Sequence, residues 1–309
     1  MSILKTLQKG WLIYAGLGGV CGYSAYAILS PIFHHGRSNI ELCDNDGTPI
    51  PVSYGIARLN MEVIQGIDLD PKVLANYNLF MCKDTVPNHF GSLHGRGGCV
   101  VGVPQTFCYQ SSKDVDCIDE ICKRYNISTE KVSEILPKLS EALILSANAK
   151  KFALSRELYS ANSYKGVAHV VYLVLAFQLG YTVFYYLEKY VKPNSVMRFT
   201  YLFVLGLAII RLYYEALKKY NHRHELEVDV KSANISKDLA AGGIEFYEKC
   251  DQIEKLLLPY LEESNQISSF ISSFTGRDHL NLSPEERKEK LEVFVKASNQ
   301  DLTSQEKSV

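Results

Sequence analysis

The stretch GVAHVVYLVLAFQLGYTVFYYL, residues 166–187, decides how the rest of the chain is read. It carries no acidic or basic side chain apart from His169. About 20 consecutive apolar residues are what a helix needs to cross ~30 Å of hydrocarbon, and this run supplies them. A turn over residues 188–198 leads into a second apolar run, residues 199–217. That run is less clean, because Arg211 and Glu215 lie inside it, but they are four apart on one helical face and close enough to the end to snorkel. Two spans joined by so short a turn return the chain to the side it left. The hairpin therefore brings together its two flanks, AKKFALSRELYS at 149–160 and HRHELEVDV at 222–230.

Outward from the hairpin, residues 11–29 (WLIYAGLGGVCGYSAYAIL) form a third uncharged run. Lys5 and Lys9 precede it and the first acidic residue is Glu41, so the positive-inside rule holds segment 1–10 on the cytosolic or matrix side. The rival reading is a cleaved signal ending at Ala25-Tyr26-Ala27, which would direct the chain to a secretory-pathway membrane. The formal net charge of −1 gives no electrostatic footprint for a nucleic-acid partner.

Residues 37–164 are soluble in composition and hold six of the eight cysteines: Cys43, Cys82, Cys99, Cys108, Cys117 and Cys122. An even number concentrated in one segment implies disulfides and an oxidising compartment, with connectivity open. A metal carrier built on Cys82, His89, His94 and Cys99 is the sharper alternative. No C-x-x-C or H-x-x-x-H spacing occurs there, so no metal ligands and no cofactor are assigned. Segment 95–109 (GRGGCVVGVPQTFCY) reads as a turn followed by short strands around Pro104; a phosphate loop would need a following helix with a lysine in register, and neither is present.

Helices are expected over 115–125, over 129–136, and from Pro137 through 160 towards the membrane. Beyond the hairpin, one is expected over 222–235 and another over 237–261, interrupted by Gly242-Gly243 and ended by Pro259. Ser283-Pro284-Glu285-Glu286 is a capping box that opens a short amphipathic helix using Leu291, Phe294 and Val295. Residues 298–309 read as a disordered tail. The fold class is mainly α with a small β element (α+β), an integral membrane protein with one N-terminal span (11–29) and a central hairpin (166–187, 199–217). Region 218–297 then packs with 37–164 in one compartment.

VVGVP at 100–104, AKKFALSRE at 149–157 and AAGGIEFYEK at 240–249 resemble matching blocks of the transmembrane protein 177 family, in the same order and with a hydrophobic hairpin between the second and third. The similarity spans residues 95 to 250. It implies a multi-pass protein of the mitochondrial inner membrane, without enzymatic activity, that assists cytochrome c oxidase assembly. Its implied partners are oxidase subunit 2 and the scaffold and copper-delivery factors that mature it.

A more remote resemblance concerns membrane-embedded zinc metallopeptidases of the heat-shock type, in which a helix with H-E-x-x-H precedes a transmembrane hairpin and a helix with E-x-x-A-D follows it. The first helix here reads Arg156-Glu157-Leu158-Tyr159-Ser160 and the later one Glu225-Leu226-Glu227-Val228-Asp229. The resemblance implies that Glu157 stands at the general-base position, Glu225 at the third-ligand position and Asp229 at the trailing aspartate. Arg156 and Ser160 replace both histidine ligands, so a tetrahedral zinc cannot be held and hydrolysis is not expected. A degenerate, metallopeptidase-like domain results, a pseudoenzyme in which an Arg156–Glu225 ion pair is expected to stand in for the metal. An active membrane metallopeptidase is the alternative, and it would require bound zinc.

Overall fold

In the computed structural model, residues 41–111, 129–191, 195–264 and 282–306 are described, apart from 45, 68 and 96. The N-terminal span at 11–29, the helix at 115–125, and Cys117 and Cys122 lie outside them.

Helix α1 (Tyr54–Gly66) starts where the Ser53 hydroxyl accepts the Ile56 amide, and a single turn, α2 (Pro71–Leu74), is capped by Asp70. Strands β1 (Tyr77–Cys82), β2 (Asn88–Gly91) and β3 (Cys99–Pro104) then form a sheet in the order β1-β3-β2. β1 runs parallel to β3 and β2 antiparallel, so the expected small β element is three strands with a mixed pattern. Val101 and Val103 of β3 are fully buried, which suits the β-branched run VVGV to the centre of a sheet. The turn before β3 requires glycine at 98, where φ is +72° and a Cβ would stand 2.3 Å from the Asn76 carbonyl oxygen. A 3-10 turn, Gln105–Cys108, closes the segment.

Helices α3 (Thr129–Leu143) and α4 (Ala147–Ala161) replace the expected continuous helix from Pro137. Pro137 lies inside α3, and the break comes at Ser146, whose side chain caps α4 by accepting the Ala149 amide. Glu245 fixes the break from outside, accepting from the Ser146 amide (2.8 Å) and hydroxyl (2.5 Å). α4 is buried almost all round, with Phe152, Ala153, Leu154 and Leu158 in the core.

Helices α5 (Lys165–Val191) and α6 (Ser195–Ala233) make the hairpin. Only 6% of each apolar window is buried, which separates these helices from the core helices of a soluble protein. Val167, Val171, Leu175, Leu179 and Val183 form an exposed stripe along α5, and Leu202, Phe203, Val204, Leu207 and Ile210 face outward on α6. An apolar surface of that extent requires a non-aqueous surrounding. Arg211 and Glu215 pair at 2.5 Å on the exposed surface.

α6 does not stop at the end of the apolar run. It continues without a break through 222–233, which the sequence reads as a separate helix. α7 (Lys237–Ser264) packs along α4 and is likewise unbroken at Gly242-Gly243 and at Pro259. The glycine pair permits contact: a Cβ at Gly242 would come 2.4 Å from the Asn148 carbonyl carbon, and one at Gly243 2.7 Å from the Phe152 ring. α8 (Pro284–Glu306) begins with the expected box, Ser283 Oγ accepting the Glu286 amide and Glu286 Oε2 accepting the Ser283 amide, both at 3.2 Å. It runs to Glu306, through most of the segment read as disordered.

Candidate functional site

Where α4, α6, α7 and α8 meet, charged side chains are gathered in the interior. Glu157 keeps 3% of its surface exposed, Asp229 2%, and Glu225 and Arg287 6% each. Buried charges persist only when paired and hydrogen-bonded, and here the pairing is extensive.

Asp229 is the hub. Arg287 grips it with both branches of the guanidinium, Nε to Oδ2 at 2.8 Å and Nη2 to Oδ1 at 2.6 Å. Tyr247 of α7 donates its hydroxyl to Oδ1 at 2.6 Å, and the Arg287 guanidinium lies over the Tyr247 ring, 4.7 Å from its centroid. Arg156 Nε approaches the same Oδ1 at 3.4 Å, while its Nη1 binds Glu157 Oε1. The second Glu157 oxygen accepts from Nδ1 of His89 on β2 at 2.6 Å. Glu225 takes the Leu282 amide (3.1 Å) and faces Arg287 Nη1 at 3.5 Å. Lys165, the first residue of α5, lies within electrostatic range of Glu225 and Glu157. Three cations, Arg156, Arg287 and Lys165, thus face three carboxylates.

Burial works against a charged Glu157, but the Arg156 guanidinium and the His89 hydrogen bond outweigh it and hold the carboxyl below its usual range. Burial also opposes the charge on Arg156, and the surrounding carboxylates of Glu157, Asp229 and Glu225 outweigh it, fixing the guanidinium as a cation. The Tyr247 hydroxyl is driven well upward, chiefly by burial, and stays a neutral donor.

The structure brings Arg156, Glu157 and Asp229 into contact, with Glu225 joined to them through Arg287 and Ser160 buried one turn further along α4. The expected Arg156–Glu225 ion pair is not formed. Glu225 turns to Arg287, and Arg156 turns to Glu157 and Asp229, because α8 brings in a second guanidinium that lies in neither motif. His89, Tyr247 and Arg287 are the members missed. Arg287 had a readable signal, since it lies four residues before Leu291 on the buried face of α8.

This donor set does not fit zinc. Arginine and serine occupy the positions of the imidazoles, and the carboxylates are filled by guanidiniums, a hydroxyl and an amide. Among the described residues no three histidine, cysteine or acidic side chains cluster in a way that could hold a metal. His94 is engaged elsewhere, its Nε2 donating to the Asn162 carbonyl (3.0 Å) while its ring stacks on Tyr164.

Cys43, Cys99 and Cys108 are free, and Cys82 is a fully buried thiol. Cys82 and Cys99 lie at opposite ends of the paired β1 and β3, with Tyr77 facing Cys99 and Pro104 facing Cys82. Five residues of strand separate them, roughly 16 Å, too far for a disulfide. Among the described residues no disulfide joins these four, and Cys82 and Cys99 cannot pair with each other; Cys117 and Cys122 lie outside the described residues. Burial pushes the Cys99 thiol up to about 12.

The family model described as transmembrane protein 177 matches residues 77–273, most of the chain. The chain belongs to the transmembrane protein 177 family. The match takes in β1 to β3, α4, the hairpin and α7, but ends before α8, so Arg287 lies outside the matched stretch. Transmembrane protein 177 of Danio rerio is 26% identical over 243 residues, covering 77% of this chain and 76% of that protein. The proteins of the same name from Xenopus laevis and Homo sapiens are each 27% identical, covering 66% of this chain and 66% and 65% of their own lengths. No solved structure matches.

Proposed function

We propose that the protein is a non-enzymatic factor of the mitochondrial inner membrane that assists cytochrome c oxidase assembly while subunit 2 is matured and its copper site formed, by binding the scaffold factor that holds subunit 2. Membership of the transmembrane protein 177 family is the observation that supports this reading. The buried cluster favours binding over hydrolysis, since its carboxylates Glu157, Asp229 and Glu225 are committed to Arg156 and Arg287. In this reading the hairpin anchors a soluble domain on one side of the membrane, and the charged cluster locks that domain to the hairpin. The domain then lies in the intermembrane space, with segment 1–10 in the matrix.

Two measurements test it. Protease protection of a C-terminal tag in intact and outer-membrane-ruptured mitochondria is expected to show cleavage only after rupture; cleavage in intact organelles, or protection after rupture, overturns the topology. Affinity capture after pulse-labelling of mitochondrial translation is expected to recover newly made subunit 2 with its scaffold factor. Recovery of other labelled subunits without subunit 2 overturns the assignment of stage.

A further inference from the structure

At the base of the hairpin a cleft of about 560 Å³ is lined by Tyr172 of α5 and by Ala216, Lys219, Tyr220, Arg223, His224 and Glu227 of α6. We propose that this cleft holds the phosphate headgroup of an anionic phospholipid from the leaflet facing the soluble domain.

Position is the first argument. The lining belongs to the same two helices whose outward surfaces are apolar, at the level where α6 changes from the run 199–217 to the charged segment that enters the soluble domain. Tyr172 and Tyr220 stand 5.6 Å apart between ring centroids, and tyrosine suits this level because its ring is apolar and its hydroxyl wet. Charge is the second. Lys219 and Arg223 are four residues apart on α6, both exposed, and among the described residues neither side chain makes a hydrogen bond or ion pair. Glu227, the one acid in the lining, is hydrogen-bonded to Lys231 at 2.8 Å, and Arg223 reaches it only through space, with no hydrogen bond or ion pair between the two. What remains is an ammonium and a guanidinium on successive turns. The guanidinium can take two phosphate oxygens and the ammonium a third. Size is the third argument, since the volume accommodates a phosphate headgroup and Ala216 is the small apolar residue of the lining, on the side of the apolar run 199–217.

The test uses the full-length protein in neutral detergent, titrated separately with phosphatidylglycerol, phosphatidylcholine and glycerol phosphate, with bound species counted by native mass spectrometry. One phosphatidylglycerol is expected to bind more tightly than phosphatidylcholine, and K219A/R223A to lose about tenfold in affinity for it. K255A/K288A removes the same charge elsewhere and is expected to bind as the unaltered protein does. Ala216→Trp, which fills the cleft and leaves both cations, is expected to weaken binding too. Equal affinity for the two lipids, or unchanged binding by K219A/R223A and Ala216→Trp, overturns the proposal. Glycerol phosphate binding as tightly as phosphatidylglycerol would assign the cleft to a soluble phosphoester and overturn the lipid assignment.

Discussion

Arg287 and Asp229 face each other through two parallel hydrogen bonds, at 2.8 and 2.6 Å, with both side chains out of solvent. The pair joins α8 to α6, and its loss would leave a carboxylate buried with only Tyr247 and Arg156 to balance it. Replacing Arg287 by Ala is expected to destabilise the protein by about 3–5 kcal/mol. Arg287→Lys is expected to recover little of this, since an ammonium cannot reproduce the fork. The double variant Arg287→Met/Asp229→Leu should lie closer to the unaltered protein than either single change. Denaturant unfolding of the detergent-solubilised protein measures these variants, with Arg287→Met and Asp229→Leu as the single changes.

Glu157 sets an acid limit. Its carboxyl titrates below the unfolded value of 4.5, so between the two values the unfolded chain binds more protons. Stability from this group is fully present above 4.5 and is lost as pH falls through the folded value. Melting temperatures measured from neutrality down into the acid range should be flat and then fall. In Glu157→Gln the curve should start lower and fall less steeply.

Gly242 tests helix approach. A methyl group there would meet the Asn148 and Ala149 backbone at 2.4 to 2.7 Å, which no rotamer change relieves. Gly242→Ala is expected to cost about 1–3 kcal/mol as α7 is pushed off α4. At Gly206 a Cβ meets nothing within 4 Å, and Gly206→Ala should be neutral or slightly stabilising. Thermal unfolding of the two variants side by side checks the contrast.

Thiol reactivity separates the cysteines. Cys108 is exposed and should react with a maleimide within minutes at pH near 8, whereas Cys99, buried and raised to about 12, should label only after unfolding. Peptide mapping of the labelled protein reads both positions.

The hairpin was legible in the sequence because length and absence of charge define a membrane-crossing helix with little help from the rest of the fold. Glu157, Glu225 and Asp229 were legible for a different reason, since the hairpin itself dictates which flanks meet. The closing partners were not. Arg287 is 58 residues from Asp229 and His89 is 68 from Glu157, and no local spacing announces a contact across such a distance. Gly242-Gly243 was misread because helix propensity counts what glycine costs a helix and is blind to what it allows a neighbour to do. The break at Ser146 lacked the acidic residue that completes a capping box; Glu245 supplies that carboxylate from another helix.

α6 is 39 residues long, close to 58 Å at 1.5 Å per residue, with its first half among the outward apolar residues and Glu225 and Asp229 near its far end. A rod of this kind is a lever. Tilting it by about 10° about one end would carry the other through roughly 10 Å, and the bonds at Asp229 and Glu225 tie that end to α4, α7 and α8. The apolar end of the hairpin and the buried charges are thus two ends of one rigid element, and a tilt imposed at the first is felt at the second.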